Sequence, residues 1–366
     1  MARLVYALAG YGRGHTSRAL ASASVLRSRG HSVTFCCGGL AKVRLEALGE
    51  QVIDVTALPH VIQGNQGSLF KTILANVRPF ALGTDFRALC ERLEAARPDL
   101  LLADFEPFAP LAAGLLRVPV ASLNHQQIVT ETRYRVPKRY RLSAALTSAA
   151  IGVMTPLQPQ RIFISSFYYP ALKRPQRTTL LPPVLREAVL GLTPQRGEHV
   201  LVYFNGGQGL ERFLERLAKL DAAFTVYNVE NPGVRPANVE FKNSSDGAFL
   251  RDLATCRGVI CTAGFNLISE ALFLGKPILA VPNRGFFEQT LNALHLEREG
   301  LGRASFNGLP SKLELTDFLT SPVQVKRRLE LGNDALAKEI DALLHTLLPP
   351  TFTVKKPKAT REVASS

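Results

Sequence analysis

Short apolar segments alternate with helix-like segments along most of this chain, and two of the apolar segments lead directly into glycine-rich loops. Leu4–Ala9 precedes Gly10-Tyr11-Gly12-Arg13-Gly14-His15, and His199–Asn205 precedes Gly206-Gly207-Gln208-Gly209. Strands separated by helices in this order form βαβ units, which assemble into parallel sheets. Because the chain has 366 residues, more than one ordinary core contains, we predict an α/β protein with two domains in tandem.

The two repeats of this pattern are separated by Tyr168–Pro175, a segment rich in proline and basic residues. We therefore predict a first domain over residues 1–165, a linker over 166–178 and a second domain over 179–347. Residues 348–366 are rich in proline, lysine, threonine and serine and lack periodicity, so a disordered basic tail is expected there.

Neither the apolar segments nor the cysteines indicate a secreted or membrane-spanning protein. No apolar run approaches the ~20 residues that cross a bilayer, and the N-terminus is typical of a buried strand rather than a signal peptide. The five cysteines show neither a disulfide framework nor the spacing of a metal site, so we predict no bound metal. These features favour a cytoplasmic protein.

The formal net charge of +14 favours partners that carry phosphate groups. The segment 133–141 holds five cations, two aromatic residues and no acid. It is either a solvated surface or a patch that contacts anionic lipid headgroups on the inner face of a membrane, and both interpretations stay open. No nucleic-acid motif occurs, and the basic residues do not alternate with aromatic ones, so we predict no nucleic-acid partner.

The first glycine loop is a candidate anion site with a candidate base at its end. Gly10, Gly12 and Gly14 let the backbone approach a ligand closely, and the helix that follows offers free N–H groups to an anion. His15 enters this helix and is placed to take a proton from a hydroxyl group, or else to cap the helix or position a ligand.

A nicotinamide-type cofactor site is disfavoured at this first loop. The spacing is G-x-G-x-G rather than G-x-G-x-x-G, and the second strand ends in Phe35-Cys36-Cys37-Gly38-Gly39 without a carboxylate. We predict no cofactor.

Polar side chains follow two further strands of the first domain. Asp104 and Glu106 come directly after Leu100–Ala103, and Asn124 and His125 follow Val118–Leu123. One of the two carboxylates could orient His15 or act as the base itself, and the alternative is that both cap the next helix. Asn124 and His125 either contact the substrate or form a satisfied polar loop.

The second domain contains the most specific motif, which runs from Cys261 to Ala271 and continues to Ala293. Thr262 and Gly264 open a helix toward phosphate oxygens. Glu270 lies about six residues further on, where a carboxylate can accept two hydrogen bonds from a ribose diol. Glu288 and Gln289 begin the next helix and are candidates to contact the hydroxyls of a sugar.

This motif resembles the donor-binding signature of GT-B glycosyltransferases, and it is most similar to the MurG-type branch and its uncharacterised relatives. The loop ending in His15 resembles that branch's acceptor loop, and Asn205–Gly209 resembles its second glycine loop. The stretch Asn124-His125-Gln126 departs from the His-Glu pair of MurG itself. The resemblance implies two Rossmann-like domains that face each other across a cleft.

The same resemblance implies roles for individual residues of this chain. His15 would lie near the acceptor and the leaving phosphates, Glu270 would hold the ribose, and Glu288 and Gln289 would contact the donor sugar. The residues that would face the diphosphate are Gly206, Gly207, Thr262, Ala263 and Gly264.

These features together predict an enzyme that transfers a hexose from a nucleotide-diphosphate donor, such as a UDP-sugar, to a hydroxyl acceptor. We expect transfer without a metal and with inversion, His15 acting as the base. The acceptor is expected to be lipid-linked or amphipathic. Two alternatives remain open: a nucleotide-sugar 2-epimerase, and a nucleotide-sugar-binding protein without catalysis.

Overall fold

The chain folds around two parallel sheets, each covered by helices on both faces. The computed structural model describes residues 1–56, 62–63, 66–67, 83–156, 158–204, 209–229, 233, 235–243, 246–325 and 329–348. The two sheets confirm the predicted fold class, two Rossmann-like domains of α/β type.

The first sheet has seven strands in the order β3-β2-β1-β6-β7-β8-β9, all parallel. Strand β1, between β2 and β6, is buried on both faces, with Leu4 and Tyr6 in one hydrophobic cluster and Val5 and Ala7 in another. Continuous apolar strands of this kind are typical of parallel sheets. The strands are β1 (Arg3–Leu8), β2 (Ser32–Cys37), β3 (Val52–Asp54), β6 (Leu100–Asp104), β7 (Val120–Asn124), β8 (Ile162–Ser165) and β9 (Thr178–Leu181), and a short antiparallel pair, β4 (Ile62–Gln63) and β5 (Gln66–Gly67), stands apart.

The second sheet has six parallel strands in the order β12-β11-β10-β13-β14-β15. Val200 and Val202 face one hydrophobic cluster, and Leu201 faces the other. The strands are β10 (His199–Tyr203), β11 (Ala223–Tyr227), β12 (Val239–Lys242), β13 (Gly258–Cys261), β14 (Ile278–Ala280) and β15 (Arg303–Ala304).

Helices connect the strands of both sheets. Those of the first half are α1 (Arg13–Ser28), α2 (Gly39–Ala47), α3 (Gly83–Ala96), α4 (Phe108–Leu115), α5 (Ile128–Glu131), a 3₁₀ turn (Lys138–Tyr140) and α6 (Arg141–Met154). Those of the second half are α7 (Glu187–Leu190), α8 (Leu210–Leu217), α9 (Asp246–Thr255), α10 (Phe265–Phe273), α11 (Phe287–Arg298), α12 (Lys312–Thr320) and α13 (Asn333–Leu347). None of the described helices is long and apolar enough to span a membrane.

The first domain extends beyond the predicted boundary at residue 165. Strand β9 pairs in parallel with β8, Ile162 opposite Thr178, so residues 166–177 connect two neighbouring strands of one sheet. The predicted linker over 166–178 therefore lies inside the first domain. The prolines and cations of this segment occupy a loop, so its composition resembles that of a linker. The pairing of β9 with β8 joins residues distant along the chain and leaves no signal in the composition of the segment.

The last helix also belongs to the first domain rather than to the predicted second domain over 179–347. Leu336, Ile340 and Leu344 of α13 join the cluster that contains Leu4 and Tyr6 of β1. The predicted tail over 348–366 lies outside the described residues from 349 onward.

The chain thus crosses between the domains twice, and the two crossings lie side by side. Gly332 N–H donates to the Pro183 carbonyl at 2.8 Å, and the Asn333 amide bonds both backbone groups of Leu185. A Cβ at Gly332 would lie 1.9 Å from the Pro182 carbonyl oxygen, so only glycine fits this approach.

Candidate functional site

The carboxyl end of the first sheet brings His15 and Asp104 together. Strands β1 and β6 are neighbours, with Leu8 opposite Asp104, and the loop after β1 turns at Gly12 with φ of +81° before α1 begins. His15 Nδ1 consequently lies 2.9 Å from Asp104 Oδ1. An ionised carboxylate only accepts hydrogen bonds, so we place the hydrogen on Nδ1, and Nε2 keeps its lone pair.

Arg18, one helical turn after His15, also binds Asp104. Its Nε donates to Oδ2 at 2.9 Å and its Nη2 donates to Oδ1 at 2.6 Å, while Tyr6 Oη donates to Oδ2 at 3.2 Å. Burial alone would raise the pKa of the fully buried Asp104, but the charge of Arg18 and the hydrogen bonds from His15 and Arg18 outweigh it and lower that pKa. Asp104 is therefore an ionised acceptor with four donors.

Phe105 separates the two carboxylates that the sequence singles out. Its φ of +60° lies in the left-handed region, which costs an aromatic residue on the order of 1 kcal/mol. Its ring stacks on the imidazole of His15, the ring planes 15° apart and the centroids at 6.0 Å. The turn at Phe105 thus covers one face of His15.

Glu106 does not join His15. Its carboxylate accepts hydrogen bonds from the backbone N–H groups of Phe108 at 3.1 Å and Ala109 at 2.6 Å, at the start of α4. Burial raises its pKa to about 7, although these N–H bonds act in the opposite direction. Of the two alternatives open for this pair, Glu106 fits the helix cap and Asp104 fits the partner of His15.

Asn124 and His125 have partners inside the protein and no exposed surface. The side-chain amide of Asn124 forms hydrogen bonds with Ser122 of the same strand, β7, and with Gln127 of the loop that follows. His125 lies between the domains, with Nδ1 2.7 Å from the Ser165 carbonyl and Nε2 2.8 Å from Asn292 Oδ1.

The His125 ring also stacks on Phe265 of the second domain at 4.1 Å between centroids, and burial lowers its pKa to about 4. Two interpretations were open for this pair, a contact with substrate and a satisfied polar loop, and the hydrogen bonds of Asn124 favour the second for that residue. Asn124 fits a satisfied polar loop, and His125 is a contact between the domains.

The start of α10 faces the first glycine loop across the cleft. Strand β13 ends at Cys261, the buried Thr262 and Ala263 follow, and α10 begins after Gly264. Asn266 Nδ2 in the first turn of α10 donates to the carbonyl of Gly14 in the first turn of α1 at 2.6 Å, which joins the two helix starts. The helix starts of α1 and α10 are thus close, and each end offers N–H groups and a partial positive charge to an anion. Gly206 and Gly207 lie outside the described residues.

Glu270, on α10, is nearly buried and paired with an arginine. Arg186 Nε donates to Oε1 at 3.0 Å and Nη2 approaches Oε2 at 3.4 Å. Arg186 precedes α7 on the first crossing, so this ion pair ties the crossing to the second domain.

Glu288 lies in the first turn of α11, and its carboxyl group interacts electrostatically with Arg18 and Asp104, the two charged residues beside His15. Burial raises its pKa to about 7, the charge of Arg18 lowers it and the charge of Asp104 raises it. The neighbouring Gln289 instead accepts a hydrogen bond from Asn283 N–H at 2.9 Å.

Three polar residues of the site were not predicted: Arg18, Asn266 and Arg186. Arg18 follows His15 by three residues on one helix, a spacing that places the two side chains on one face and could have indicated it. Over the described part of the chain, no group of three or more His, Cys, Asp or Glu side chains could hold a metal ion.

Comparison with known proteins agrees with this geometry. The family model described as glycosyl transferase family 1 matches residues 2–322. An uncharacterised glycosyltransferase of Methanosarcina acetivorans is 26% identical, covering 92% of this chain and 98% of the relative. One of Methanosarcina mazei is 24% identical over 86% of this chain and 88% of the relative.

Solved structures show the same fold at low sequence identity. The calicheamicin glycosyltransferase CalG4 has a TM-score of 0.63 at 20% identity, covering 95% of this chain and 99% of that one. MurG of Acinetobacter baumannii has a TM-score of 0.55 at 16% identity, covering 95% and 98%. This fold and the match to most of the chain assign the protein: it belongs to glycosyl transferase family 1.

Proposed function

We propose that this glycosyltransferase moves a hexose from a nucleotide-diphosphate donor, a UDP-sugar, to a hydroxyl acceptor, with inversion and without a metal ion. The observation that carries the proposal is the His15–Asp104 pair at the sheet edge, directly opposite the start of α10. A base and an anion-binding helix start on opposite sides of one cleft are what such a transfer requires.

The proposed step is a single displacement. His15 Nε2 takes the proton of the acceptor hydroxyl, whose oxygen attacks the anomeric carbon of the sugar. The bond from that carbon to the diphosphate oxygen breaks, and the nucleoside diphosphate leaves with the electron pair. Attack and departure occur on opposite faces of the carbon, which inverts its configuration.

The leaving diphosphate is held by backbone N–H groups at the helix starts. Thr262, Ala263 and Gly264 are proposed to face the diphosphate where α10 begins, Gly206 and Gly207 are proposed to do so in the second glycine loop, and the first turn of α10 would supply the N–H donors. Glu270 binds the ribose diol, and Glu288 and Gln289 contact the donor sugar. Because helix dipoles supply the positive charge, the step needs no cation.

A donor screen followed by product analysis tests this function. Binding of UDP-, GDP- and dTDP-sugars is measured by calorimetry, and lipid extracts are then searched for a donor-dependent mass increase of one sugar. We expect binding of UDP-sugars and a glycosylated product. Conversion of the donor without any acceptor would favour a 2-epimerase, and donor binding without turnover would favour a non-catalytic binding protein.

We also propose a lipid-linked acceptor and contact with an anionic membrane surface, because α6 exposes an apolar face. Leu142, Leu146 and Val153 are 74%, 50% and 65% exposed, and their spacing places them on one side of the helix. Ala144 and Ile151 on the opposite side are buried in the core. The five cations of the segment 133–141 lead directly into this helix. An apolar face beside a basic segment is typical of helices that lie in a membrane interface.

Replacing Leu142 and Leu146 together with aspartate is expected to lower binding to phosphatidylglycerol-containing vesicles by about 100-fold. The loss reflects about 1.5 kcal/mol or more of apolar burial for each leucine, and repulsion by the anionic lipid adds to it. Vesicle sedimentation measures the binding. Leu313→Asp, at an equally exposed leucine of α12, is the control and should bind normally. Equal loss in both variants, or no vesicle binding by the unaltered protein, would contradict the proposal.

A further inference from the structure

Arg18 places a permanent positive charge beside the proposed base. Its side chain is buried, with only 4% of its surface exposed, and its Nη2 lies 2.6 Å from Asp104 Oδ1 and 3.2 Å from His15 Nδ1. Burial would lower the pKa of Arg18, but the charge and hydrogen bonds of Asp104 raise it, so the guanidinium stays charged. The His15–Asp104 pair is therefore a cluster of three groups.

Arg18 changes the net charge of the cluster before and after His15 takes up a proton. A neutral histidine with an ionised aspartate alone carries −1, and proton uptake by the histidine brings that pair to zero. With Arg18 included, the cluster is neutral beforehand and carries +1 afterwards. A like charge beside a titrating group disfavours its charged form, so Arg18 opposes protonation of His15.

Groups on every neighbouring element take part in this balance. Tyr6 of β1 donates to Asp104, the ring of Tyr11 lies 6.5 Å from that of His15, and the Gln126 amide nitrogen lies 3.5 Å from His15 Nε2. From the second domain, the carboxyl group of Glu288 interacts with Arg18 and Asp104. Among these neighbours Arg18 is the permanent cation, while Asp104 and Glu288 are the carboxyl groups that favour a protonated His15.

We propose that Arg18 is a positioning residue with an electrostatic role: it locks the Asp104 carboxylate against His15 Nδ1 and opposes the gain of a positive charge by the imidazole. The two hydrogen bonds from the Arg18 guanidinium hold the Asp104 carboxylate in one orientation. The carboxylate in turn holds His15 in the tautomer that has the hydrogen on Nδ1 and the lone pair on Nε2. The contribution of Arg18 to catalysis rests on the proposed function, whereas the electrostatic interaction between Arg18 and His15 does not.

Two variants separate charge from shape. Arg18→Gln removes the charge and keeps a hydrogen-bond donor near Asp104, whereas Arg18→Lys keeps the charge and loses the planar fork. The titration of His15 is followed by NMR of ring ¹⁵N in the full-length protein, with His15→Gln used to assign the signal. Circular dichroism confirms that each variant is folded.

We expect the NMR titration of His15 to move to higher pH in Arg18→Gln and to change little in Arg18→Lys, because only the first variant removes the charge beside the imidazole. Where transfer is measurable, the acid limb of kcat/KM should move upward by the same amount in Arg18→Gln. An unchanged or lower midpoint in folded Arg18→Gln would overturn the proposal. So would an equal rise in both variants, since shape rather than charge would then be responsible. A raised midpoint in a protein that transfers no sugar would uphold the coupling and count against the proposed function alone.

Discussion

His15→Ala is expected to lower kcat by about 10²- to 10⁴-fold at saturating donor, the range that a positioned general base contributes. The variant leaves the helix starts and Glu270 in place, so the dissociation constant of the donor should change little. Steady-state kinetics give kcat, and calorimetry gives the donor affinity. This separation identifies a residue that acts in the transition state rather than in donor binding.

Asp104→Asn and His345→Ala are the matched comparisons for this variant. An amide at position 104 can donate to Nδ1 and so favour the wrong tautomer of His15, and we expect a loss of kcat of similar order. The same change leaves Arg18 without a counter-charge, so the free energy of unfolding must be measured beside it. His345 lies exposed on α13, and its replacement should leave kcat unchanged. Full activity of His15→Ala would remove His15 as the base.

Glu270→Gln is expected to weaken donor binding by about 10- to 100-fold, because a charge-assisted hydrogen bond contributes about 1.5–3 kcal/mol. The effect should appear in the dissociation constant of the donor and in KM, with a smaller change in kcat. Calorimetry with the nucleoside diphosphate alone gives the same comparison without the sugar.

The ion pair of Glu270 with Arg186 provides the control for that prediction. If Glu270 served only to join the first crossing to α10, then Arg186→Gln would weaken donor binding as much as Glu270→Gln does. We expect Arg186→Gln to have a much smaller effect, because the carboxylate stays in place for the ribose. Equal losses in the two variants would reject ribose binding by Glu270.

The local patterns of the sequence predicted the architecture well. Strand, glycine loop and helix occur in that order at Leu4–His15, and the structure has β1, a turn at Gly12 and α1 there. Such patterns depend only on residues that are neighbours along the chain, so they can be recognised in the sequence alone. Parallel strands end at a common edge of the sheet, and this rule was enough to predict that a carboxylate after β6 lies near His15. It did not predict whether Asp104 or Glu106 would be that carboxylate.

The features that sequence reasoning missed depend on contacts distant along the chain. The pairing of Thr178 with Ile162 and the packing of α13 on the first domain leave no local signal. The role of His125 depends on Asn292 and Phe265, which come from the other domain. Its position after a strand was equally compatible with a substrate contact, and only the three-dimensional arrangement distinguishes the two.

The paired crossings at Pro182–Leu185 and Gly332–Asn333 have a consequence for engineering. The second domain is topologically an insert between β9 and α13, and its two ends leave the first domain next to each other. We therefore expect that this domain can be replaced as a unit by the corresponding domain of another family member, because both joins lie at one place in the structure. A chimera should cut at both crossings and keep the glycine at 332, whereas a single cut would separate α13 from the sheet that it covers.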